Sequence, residues 1–491
     1  MPEMVLNYIN GKWARAASGR TFQSLNPATG QPVATTEDSG VEDVEQAVAA
    51  ARAAFDSGEW SRRPGRARAA VLLKLADLLE ASAERFGRLI AVEMGKPIRF
   101  GLEREVHAAV DRLRFFAGAA RLVSGDVTMA APDHLLNLVL KEPVGVCALI
   151  TPWNDPVDLP LRKIGAALAA GCTFVLKPSS LSPAATMELF RLFEQIPDLP
   201  PGVANGLTGQ GTVIGEALAA HPLVDKISFT GSTQTGKRLM ELGARNFKRL
   251  SLECGGKAPT IVFGDANLDK ALEAVKFGIF LYAGQSCTAG SRLLVERRVH
   301  REFLERLTAA TGTLRIGDPL DSTAHIGPLV SERQMNTVLE YIESGKREGA
   351  RLVLGGGRMR NGLYARGWYL EPTIFDEARP EMRIAREEIF GPVLTVIPFD
   401  TEDDAIRIAN DNPFGLAAAV WTDDVNRAIR VARRVRTGDV WVNTHYIRLA
   451  ESPFGGMKES GLGRELGMAG VDAYLETKRV CFDTAPAFHI K

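Results

Sequence analysis

The chain has no excess of charge of either sign, few cysteines and no long apolar run. Its 491 residues carry 59 Lys and Arg against 59 Asp and Glu, so the formal net charge is zero. A balanced charge argues against nucleic acid as a partner, because such binding requires a basic surface. No apolar stretch reaches the roughly 20 residues that a membrane span requires. We therefore expect a globular protein of two or three domains whose partner is neither nucleic acid nor membrane.

The five cysteines are too few and too irregularly spaced for a disulfide framework or a zinc site. The first residues lack the basic and apolar regions of a secretory signal peptide. Both features are typical of a protein of the reducing cytoplasm, and we expect no bound metal. A cysteine usually serves as a small buried apolar residue, so a catalytic thiol has to be recognised from its surroundings.

A segment similar to a phosphate-binding loop lies at 229–239 and reads FTGSTQTGKRL. In nucleotide hydrolases the pattern GxxxxGK is followed by Ser or Thr, whose hydroxyl binds magnesium. Arg238 takes that place here and cannot bind a cation, so hydrolysis is the least favoured function. The segment also lacks the middle glycine of the GxGxxG dinucleotide fingerprint. Taken alone, it predicts the start of a helix, which can still receive a pyrophosphate.

Two series of alternating strands and helices follow a first third that is rich in helix. The predicted helices of the first third cover 41–55, 66–92 and 98–123, and the predicted strands of the first series cover 145–150, 173–177, 224–229 and 249–253. This alternation predicts a doubly wound parallel sheet, which binds ligands at the carboxyl ends of its strands. The segments TPWN, KPSS, TGST and ECGG follow the four strands and are therefore the candidate site segments. A second series runs from about 258 to 455.

Seven segments, in order along the chain, resemble the motifs of the aldehyde dehydrogenase superfamily. They are TPWN (151–154), KPSS (177–180), FTGSTQTG (229–236), LECGGK (252–257), GQSCTAGSR (284–292), EEIFGPV (387–393) and PFGGMKESGLGRELG (453–467). The resemblance covers nearly the whole chain, from residue 26 onward. One such motif would be a weak signal, but seven in the family's order are a strong one.

The resemblance implies an α/β fold of three parts. These are a doubly wound parallel-sheet cofactor domain at 1–123 and 144–253, a second α/β catalytic domain at 254–456, and a small β oligomerisation arm at 124–143 and 475–491. The arm would join the subunits of a homodimer or homotetramer by sheet extension. The alternative for the predicted strand at 476–485 is an ordinary edge strand.

The resemblance also implies the NAD(P)-dependent oxidation of an aldehyde to the carboxylic acid. Cys287 would attack the aldehyde carbon, because a thiolate is a good nucleophile and later a good leaving group. The Asn154 amide and the backbone N–H of Cys287 would stabilise the oxyanion, and Glu253 would activate the water that hydrolyses the thioester. Lys163 and Glu465 match positions that help the proton to leave. Each residue alone has an ordinary structural explanation, but the set in register favours catalysis.

A nicotinamide cofactor is implied by the same resemblance. The residues expected to bind it are Thr151, Trp153, Lys177, Ser180, Gly211, Gly231, Ser232, Thr235, Glu388 and Phe390. The helix start at Gly231 would lie beside the pyrophosphate, Lys177 would bond the adenosine ribose, and Glu388 and Phe390 would hold the nicotinamide ribose and ring. Many NAD-using members carry Glu where this chain has Ser180, and that carboxylate repels the extra phosphate of NADP. Ser180 therefore predicts that NADP is accepted as well as NAD.

Charged residues stand where members that oxidise apolar aldehydes usually carry aromatic or aliphatic side chains. The expected substrate contacts are Arg104, Asp155, Asp158, Arg162, Arg448 and Phe454. Asp155, Asp158 and Arg162 follow at spacings of three and four, which predicts a common helix face beside the reacting carbon. Buried arginines favour a substrate with a carboxylate, such as a semialdehyde. The alternative is that the Asp and Arg side chains pair with one another and only line a polar wall for a neutral aldehyde.

Two other functions fit these residues less well. A CoA-acylating aldehyde dehydrogenase passes the acyl group to CoA and commonly lacks the base, so Glu253 argues against it. A non-catalytic binding protein is disfavoured by the intact set of Cys287, Glu253 and Asn154. The sequence does not identify the aldehyde.

Overall fold

The computed structural model describes residues 3–129 and 131–485 and contains two large β-sheets. The first sheet has eight strands in the spatial order Gly461–Leu462, Arg249–Glu253, Lys226–Thr230, Val146–Ile150, Thr173–Lys177, Ala204–Gly206, Asn7–Ile9 and Lys12–Ala14. The five strands from Arg249–Glu253 to Ala204–Gly206 are parallel, and the flanking strands run antiparallel to their neighbours. The predicted parallel sheet is confirmed.

Both faces of this sheet are covered, which explains the uninterrupted apolar strand VCALI. Successive side chains of a strand point to opposite faces. Val146 and Ala148 pack in one apolar cluster with the helix Val41–Ser57, whereas Cys147 and Leu149 pack in a second cluster on the other face. A strand buried on both faces is typical of a doubly wound fold.

The helices of the first part of the chain depart from the prediction at two places. The helices are Val41–Ser57, Gly65–Ala81, Ala83–Met94, Ile98–Phe100, His107–Ala120, Asp158–Ala170, Pro183–Met187, Leu189–Phe193, Glu216–Ala220 and Thr233–Gly243, with π-helical segments at Gly101–Val106 and Gly211–Gly215 and a 3₁₀ turn at Ala244–Asn246. The predicted helix 66–92 breaks at Ser82, whose backbone leaves the helical region. The predicted helix 98–123 widens into a π-helical segment near its start and ends at Ala120.

The second sheet has seven strands and forms the core of the second α/β part. Their spatial order is Arg351–Leu354, Thr373–Asp376, Val393–Phe399, Arg292–Glu296, Pro259–Val262, Ala417–Trp421 and Asp439–Val442. All are parallel except Arg351–Leu354, which is antiparallel to its neighbour. The accompanying helices are Leu268–Phe280, Arg297–Gly312, Glu332–Arg347, Arg383–Arg386, Glu402–Asn410 and Val425–Arg434, with 3₁₀ turns at Leu281–Gly284 and Gly362–Ala365. The last described helix, Gly467–Asp472, packs instead against Asp158–Ala170 of the first part.

Three small sheets complete the fold. The strand Leu475–Asp483 pairs antiparallel with Leu135–Pro143 over its whole length, and Leu135–Pro143 also pairs with Asp126–Val127. This sheet lies where the arm was predicted, and Leu475–Asp483 forms one of its edges. Positions 130 and 486–491 of the predicted arm lie outside the described residues. The other two sheets are formed by Glu3–Val5, Pro32–Glu37 and Thr21–Leu25, and by Phe414–Gly415 and Met457–Lys458.

Two further observations bear on the predicted environment. Among the described residues, no helix has both the length and the apolar character needed to cross a bilayer. All five cysteines are free thiols. The cytoplasmic location stays a prediction.

Candidate active site

The order of the strands creates a crevice beside the first sheet. From Val146–Ile150 the chain passes to Thr173–Lys177 on one side, and it later returns to Lys226–Thr230 on the other side. The loops that follow Val146–Ile150 and Lys226–Thr230 therefore diverge, and ligands bind at such a switch point. The first of these loops carries Asn154, and the second begins with Gly231.

A cavity of about 220 Å³ lies at this switch point. Its wall includes seven of the predicted site residues, namely Trp153, Asn154, Gly231, Ser232, Cys287, Glu388 and Phe390. Cys254, Gly255 and Gln334 also line it and were not predicted. Cys254 and Gly255 directly follow the predicted base Glu253, so their position in the sequence was the available signal. The structure thus brings the predicted nucleophile, oxyanion donor and nicotinamide contacts into one space.

The loop that carries Cys287 is held in an unusual backbone conformation. Tyr282 and Ala283 have φ angles of 56° and 55°, a region that non-glycine residues seldom adopt. The carbonyl oxygen of Cys287 approaches Gly256 so closely that a Cβ there would lie 2.4 Å away. The second glycine of ECGGK is therefore required for the thiol loop to pack against the end of the first sheet.

The Cys287 thiol is partly accessible but poorly solvated. Burial raises its pKa to about 11, and Arg448 opposes this rise while Glu388 and Asp155 add to it. At neutral pH the thiol of the free protein is therefore protonated, and its reactivity depends on the charges that face it.

Glu253, Lys163 and Glu465 form a second, buried group. Glu253 ends the strand Arg249–Glu253, and within the described residues neither of its carboxylate oxygens has a hydrogen-bond partner. Burial and the neighbouring Glu465 raise the pKa of Glu253 well above its usual value. The Lys163 ammonium is fully buried and contacts the Glu465 carboxylate. Gly455 leaves room for the base, because a Cβ there would lie 2.6 Å from the Glu253 Oε1.

Polar and aromatic groups line the cavity beside Cys287. The Ser232 Oγ caps the helix Thr233–Gly243 by accepting from the Thr235 N–H at 3.3 Å. Glu388 accepts from the Gly256 N–H at 3.0 Å, and burial raises its pKa to about 7. The rings of Trp153 and Phe390 meet edge to face at 5.3 Å.

The remaining predicted cofactor residues do not line this cavity. Thr235 lies next to Ser232, and the other four, Thr151, Lys177, Ser180 and Gly211, lie on or near the strand Thr173–Lys177. The Thr151 N–H donates to the Lys177 carbonyl at 3.0 Å, and the Lys177 Nζ donates to the Pro178 carbonyl at 2.7 Å. Burial lowers the pKa of Lys177 to about 8. Gly211 begins the π-helical segment whose last residue, Gly215, lies against the Lys177 side chain. Ser180 is partly exposed in the turn after this strand, and the Thr235 hydroxyl lies 2.9 Å from that of Ser232.

A second cavity of about 340 Å³ is lined by charged residues. It contains five of the six predicted substrate contacts, namely Arg104, Asp155, Asp158, Arg162 and Arg448. The sixth, Phe454, lies with its ring centre 5.7 Å from the Arg162 guanidinium and 5.1 Å from that of Arg448. Ser286, next to Cys287, also lines this cavity, so the charged space adjoins the thiol.

The structure corrects two predictions about these charged residues. The helix begins at Asp158, so Asp155 lies in the preceding loop and the three residues do not share a helix face. Arg104 is exposed at the mouth of the cavity instead of buried. Asp155 directly precedes Pro156, and the residue before a proline is sterically disfavoured in the helical region.

Pairing among the charged residues is only partial. Asp158 contacts both Arg112 and Arg162, so it engages donors of both guanidinium groups and offsets one of their two positive charges. Arg112 was not predicted, although Arg104, Ala108 and Arg112 stand at intervals of four along one helix, which was the available signal.

Arg448 and Arg104 differ from the paired arginines. Within the described residues neither has a carboxylate within ion-pair distance. Arg448 donates to the Thr288 hydroxyl, and its buried Nε has no partner. Arg104 lies over the Phe277 ring at 4.4 Å. The cavity therefore presents donors that are available to a substrate.

The fold and the cavity together define a two-part α/β enzyme whose second part presents a thiol to a nucleotide crevice. The chain belongs to the aldehyde dehydrogenase family, whose sequence model matches residues 13–480. Membership sets the class of reaction as the NAD(P)-dependent oxidation of an aldehyde, in agreement with the prediction from the motifs.

Three relatives illustrate the range of the family around this chain. The human retinal dehydrogenase 2 is 41% identical over 96% of this chain and 90% of its own length. The crystal structure of betaine aldehyde dehydrogenase from Staphylococcus aureus in complex with NAD⁺ matches with a TM-score of 0.97 and 36% identity, over 98% of this chain and 95% of that one. The aldehyde dehydrogenase KauB from Pseudomonas aeruginosa matches with a TM-score of 0.96 and 44% identity, over 98% and 97%. In another structure of the S. aureus enzyme, a point mutant, a cysteine is modified by BME.

Proposed function

We propose that the chain oxidises an aldehyde through a covalent intermediate on Cys287, with hydrolysis assisted by Glu253. The observation that carries this proposal is the shared cavity, in which Cys287, Asn154, Glu388 and Phe390 face one another. A nucleophile, an oxyanion donor and the expected nicotinamide contacts are the groups that this reaction requires in one place.

The crevice fits NAD or NADP. Gly231 presents bare backbone, because a Cβ there would lie 2.5 Å from the Phe229 ring. The N-terminus of the helix Thr233–Gly243 follows it and favours a pyrophosphate. The S. aureus relative was solved with NAD⁺, which supports the same cofactor here. When bound, the nicotinamide accepts the hydride from the substrate carbon.

The protein groups carry the other steps. The Cys287 sulfur loses its proton to water and bonds to the aldehyde carbon, and the positive charge of Arg448 favours the thiolate. The Asn154 amide and the Cys287 backbone N–H donate to the oxyanion that forms. Loss of hydride from this thiohemiacetal leaves a thioester on Cys287. Glu253 then takes a proton from water, which attacks the thioester carbon, and the carbon–sulfur bond breaks to release the acid and the thiolate.

The Lys163–Glu465 pair lies close enough to Glu253 to act on its charge, which supports a role in removing the proton that Glu253 takes. Both residues are buried, and Glu465 is the neighbouring group that raises the pKa of Glu253. A base whose pKa is raised by burial and a like charge holds a proton at neutral pH more readily than a solvated carboxylate does. We infer that this pair returns the proton to solvent between turnovers.

We infer that the substrate carries a carboxylate or another anionic group. Asp158 engages Arg112 and Arg162 and offsets one of their two positive charges, whereas Arg448 and Arg104 line the cavity without a carboxylate partner in the described residues. Guanidinium groups bind carboxylates through charge-assisted bonds. Two of the relatives are named for betaine aldehyde, which is cationic, and for retinal, which is apolar. The positive charges of Arg448 and Arg104 disfavour both kinds of substrate.

The acceptance of NADP is a further part of the proposal. Ser180 is partly exposed beside the buried Lys177 and carries no charge that would repel a ribose phosphate. The Lys177 ammonium lies close enough to the same turn to hydrogen-bond the Pro178 carbonyl. An uncharged residue next to a cation is the combination that tolerates an added phosphate.

The test of the covalent mechanism is the variant Glu253→Gln. Because thioester formation does not need the base, it should release one equivalent of reduced cofactor per site in a burst and then turn over about 100-fold or more slowly. The acyl group should be found on Cys287 by intact-protein and peptide mass spectrometry. Cys287→Ser should give neither burst nor adduct. Full turnover by Cys287→Ala, or an adduct on another cysteine, would refute the mechanism.

The raised pKa of Glu253 sets the pH dependence of the hydrolysis step. A carboxyl group with a raised pKa is protonated, and inactive as a base, up to a higher pH than an ordinary glutamate. We therefore expect the hydrolysis rate of the wild type to rise with pH through and above the usual range of a carboxylate. In Glu253→Gln this rise should be lost. Equal pH profiles of the two proteins in single-turnover hydrolysis would contradict the assignment.

A further inference from the structure

A buried lysine that has no part in the mechanism described above lies close to the active-site loop. The Lys96 side chain is fully buried and contacts two carboxylates, those of Glu105 and Asp155. Its Nζ lies 4.6 Å from the ring centre of Tyr282, in the strained turn before the thiol loop. A buried ammonium group keeps its charge only when an ion pair stabilises it, and here the Lys96 ammonium pairs with both carboxylates.

The first carboxylate belongs to the loop of the proposed oxyanion donor. Asp155 directly follows Asn154 and lines the charged cavity, with 18% of its side chain exposed. The contact with Lys96 fixes Asp155 from the interior of the protein. A shift of Asp155 would move the backbone of Asn154 with it, because the two residues share a peptide bond.

The second carboxylate holds the other end of the same loop. Glu105 is fully buried and accepts from the Val157 N–H at 2.8 Å, immediately before the helix Asp158–Ala170. It comes from the π-helical segment Gly101–Val106, a type of segment that often occurs at functional sites. Lys96 therefore fixes both ends of the segment 155–157, Asp155 by direct contact and Val157 through Glu105.

The pair of acids would not hold this arrangement without the cation. Burial raises the pKa of Glu105 to about 7, the nearby Asp155 adds to the rise, and Lys96 opposes it. Without Lys96 the two carboxylates would repel each other in a poorly solvated space. The loop would then have to move or take up a proton.

We propose that Lys96 is a positioning residue that holds the Asn154 amide in line with the oxyanion. The proposal rests on the proposed function, in which Asn154 donates to that oxyanion. Lys96 touches neither substrate nor cofactor, so it acts through the loop it fixes. A displacement of about 1 Å in a catalytic donor can slow a reaction about 100-fold.

The test is a double-mutant cycle of Lys96→Met and Asn154→Ala. Propanal and NAD serve as neutral probes, and the rate of reduced-cofactor formation in the first turnover is measured with the melting temperature. We expect Lys96→Met to slow this rate about 10- to 100-fold when Asn154 is present, and less than about threefold in the Asn154→Ala background. The KM for propanal should change little, since Lys96 does not contact the aldehyde.

A matched control is Lys346→Met, which removes a lysine from an exposed pair with Glu343 and should leave the rate unchanged. Should Lys96→Met fail to fold, Glu105→Gln takes its place in the cycle. Its amide keeps an acceptor for the Val157 N–H but loses the charge that meets Lys96, so a smaller loss that still depends on Asn154 is expected.

The outcomes separate the two proposals. Equal slowing by the Lys96 or Glu105 variant with and without Asn154 would overturn the positioning role and leave the covalent mechanism intact. If Asn154→Ala alone keeps the wild-type rate, the oxyanion assignment fails, and the role of Lys96 fails with it.

Discussion

At the scale of single residues, Arg448 is the side chain on which the proposal of an anionic substrate depends. It adjoins the thiol, donates to Thr288 and keeps a buried Nε without a partner in the described residues. Arg162 stands in the same cavity but is bound to Asp158. The sequence predicted both arginines as substrate contacts, and the structure makes only Arg448 available to an anion.

We predict that Arg448→Ala lowers the preference for an acidic aldehyde. The ratio of kcat/KM for succinic semialdehyde to that for propanal should fall about 10-fold or more, the value of one lost hydrogen bond to a charged group. Taking a ratio cancels any effect of Arg448 on the thiol itself. Arg162→Ala is the matched control and should affect both aldehydes alike. An unchanged ratio for Arg448→Ala would refute the anionic substrate.

The proposed catalytic residues stand out in the sequence because their chemistry and their local motifs point to them, and the structure places Cys287 and Asn154 on one cavity. Cys287 is flanked by glycines, and Asn154 and Glu253 each lie at or just after the end of a predicted strand. Arg112 could not be assigned in the same way, because its partner Asp158 is 46 residues away and on a different helix. Long-range ion pairs leave no pattern in a single sequence.

At the scale of elements, we propose that the strand Thr173–Lys177 and the turn after it set the choice between NAD and NADP. The strand itself matches its predicted bounds, since a buried apolar run followed by KPSS leaves little freedom for its ends. The prediction of one helix over 66–92 was wrong at Ser82. The hydrophobic periodicity continues through this residue, but its backbone leaves the helical conformation. Periodicity predicts burial well and interruptions poorly, because a break depends on packing with distant segments.

We predict that Ser180→Glu converts the chain toward NAD. A carboxylate at this turn would repel the ribose phosphate of NADP and could accept bonds from the ribose of NAD. The kcat/KM for NADP should fall at least about tenfold relative to that for NAD. Ser179→Glu is the control, because it adds the same negative charge to the turn at a different position and should change the ratio less. A wild type with at least about 100-fold preference for NAD would already contradict the role assigned to Ser180.

At the scale of the whole molecule, the small antiparallel sheet is a candidate surface for contact with a second subunit. Leu136, Leu140 and Phe482 are exposed on one face of it, and Leu475–Asp483 forms an edge. Exposed apolar side chains together with an edge strand are typical of a protein interface. We therefore keep the homodimer or homotetramer as a prediction.

We predict that the double variant Leu136→Glu and Phe482→Glu weakens self-association. Two charges on the apolar face would have to be buried without partners, which costs more than the contact returns. The molar mass measured by light scattering during size exclusion should shift toward that of one chain, 53.2 kDa. Leu363→Glu, at an exposed site elsewhere, should not change the mass. An unchanged mass in the double variant would contradict the role of the arm.

The high pKa of the Cys287 thiol affects how readily this sulfur is oxidised when no substrate is bound. Peroxide and other electrophiles attack thiolates far faster than thiols. A sulfur that stays protonated up to about pH 11 is therefore spared most irreversible oxidation while the enzyme waits. The environment that slows the first chemical step also preserves the atom on which every later step depends.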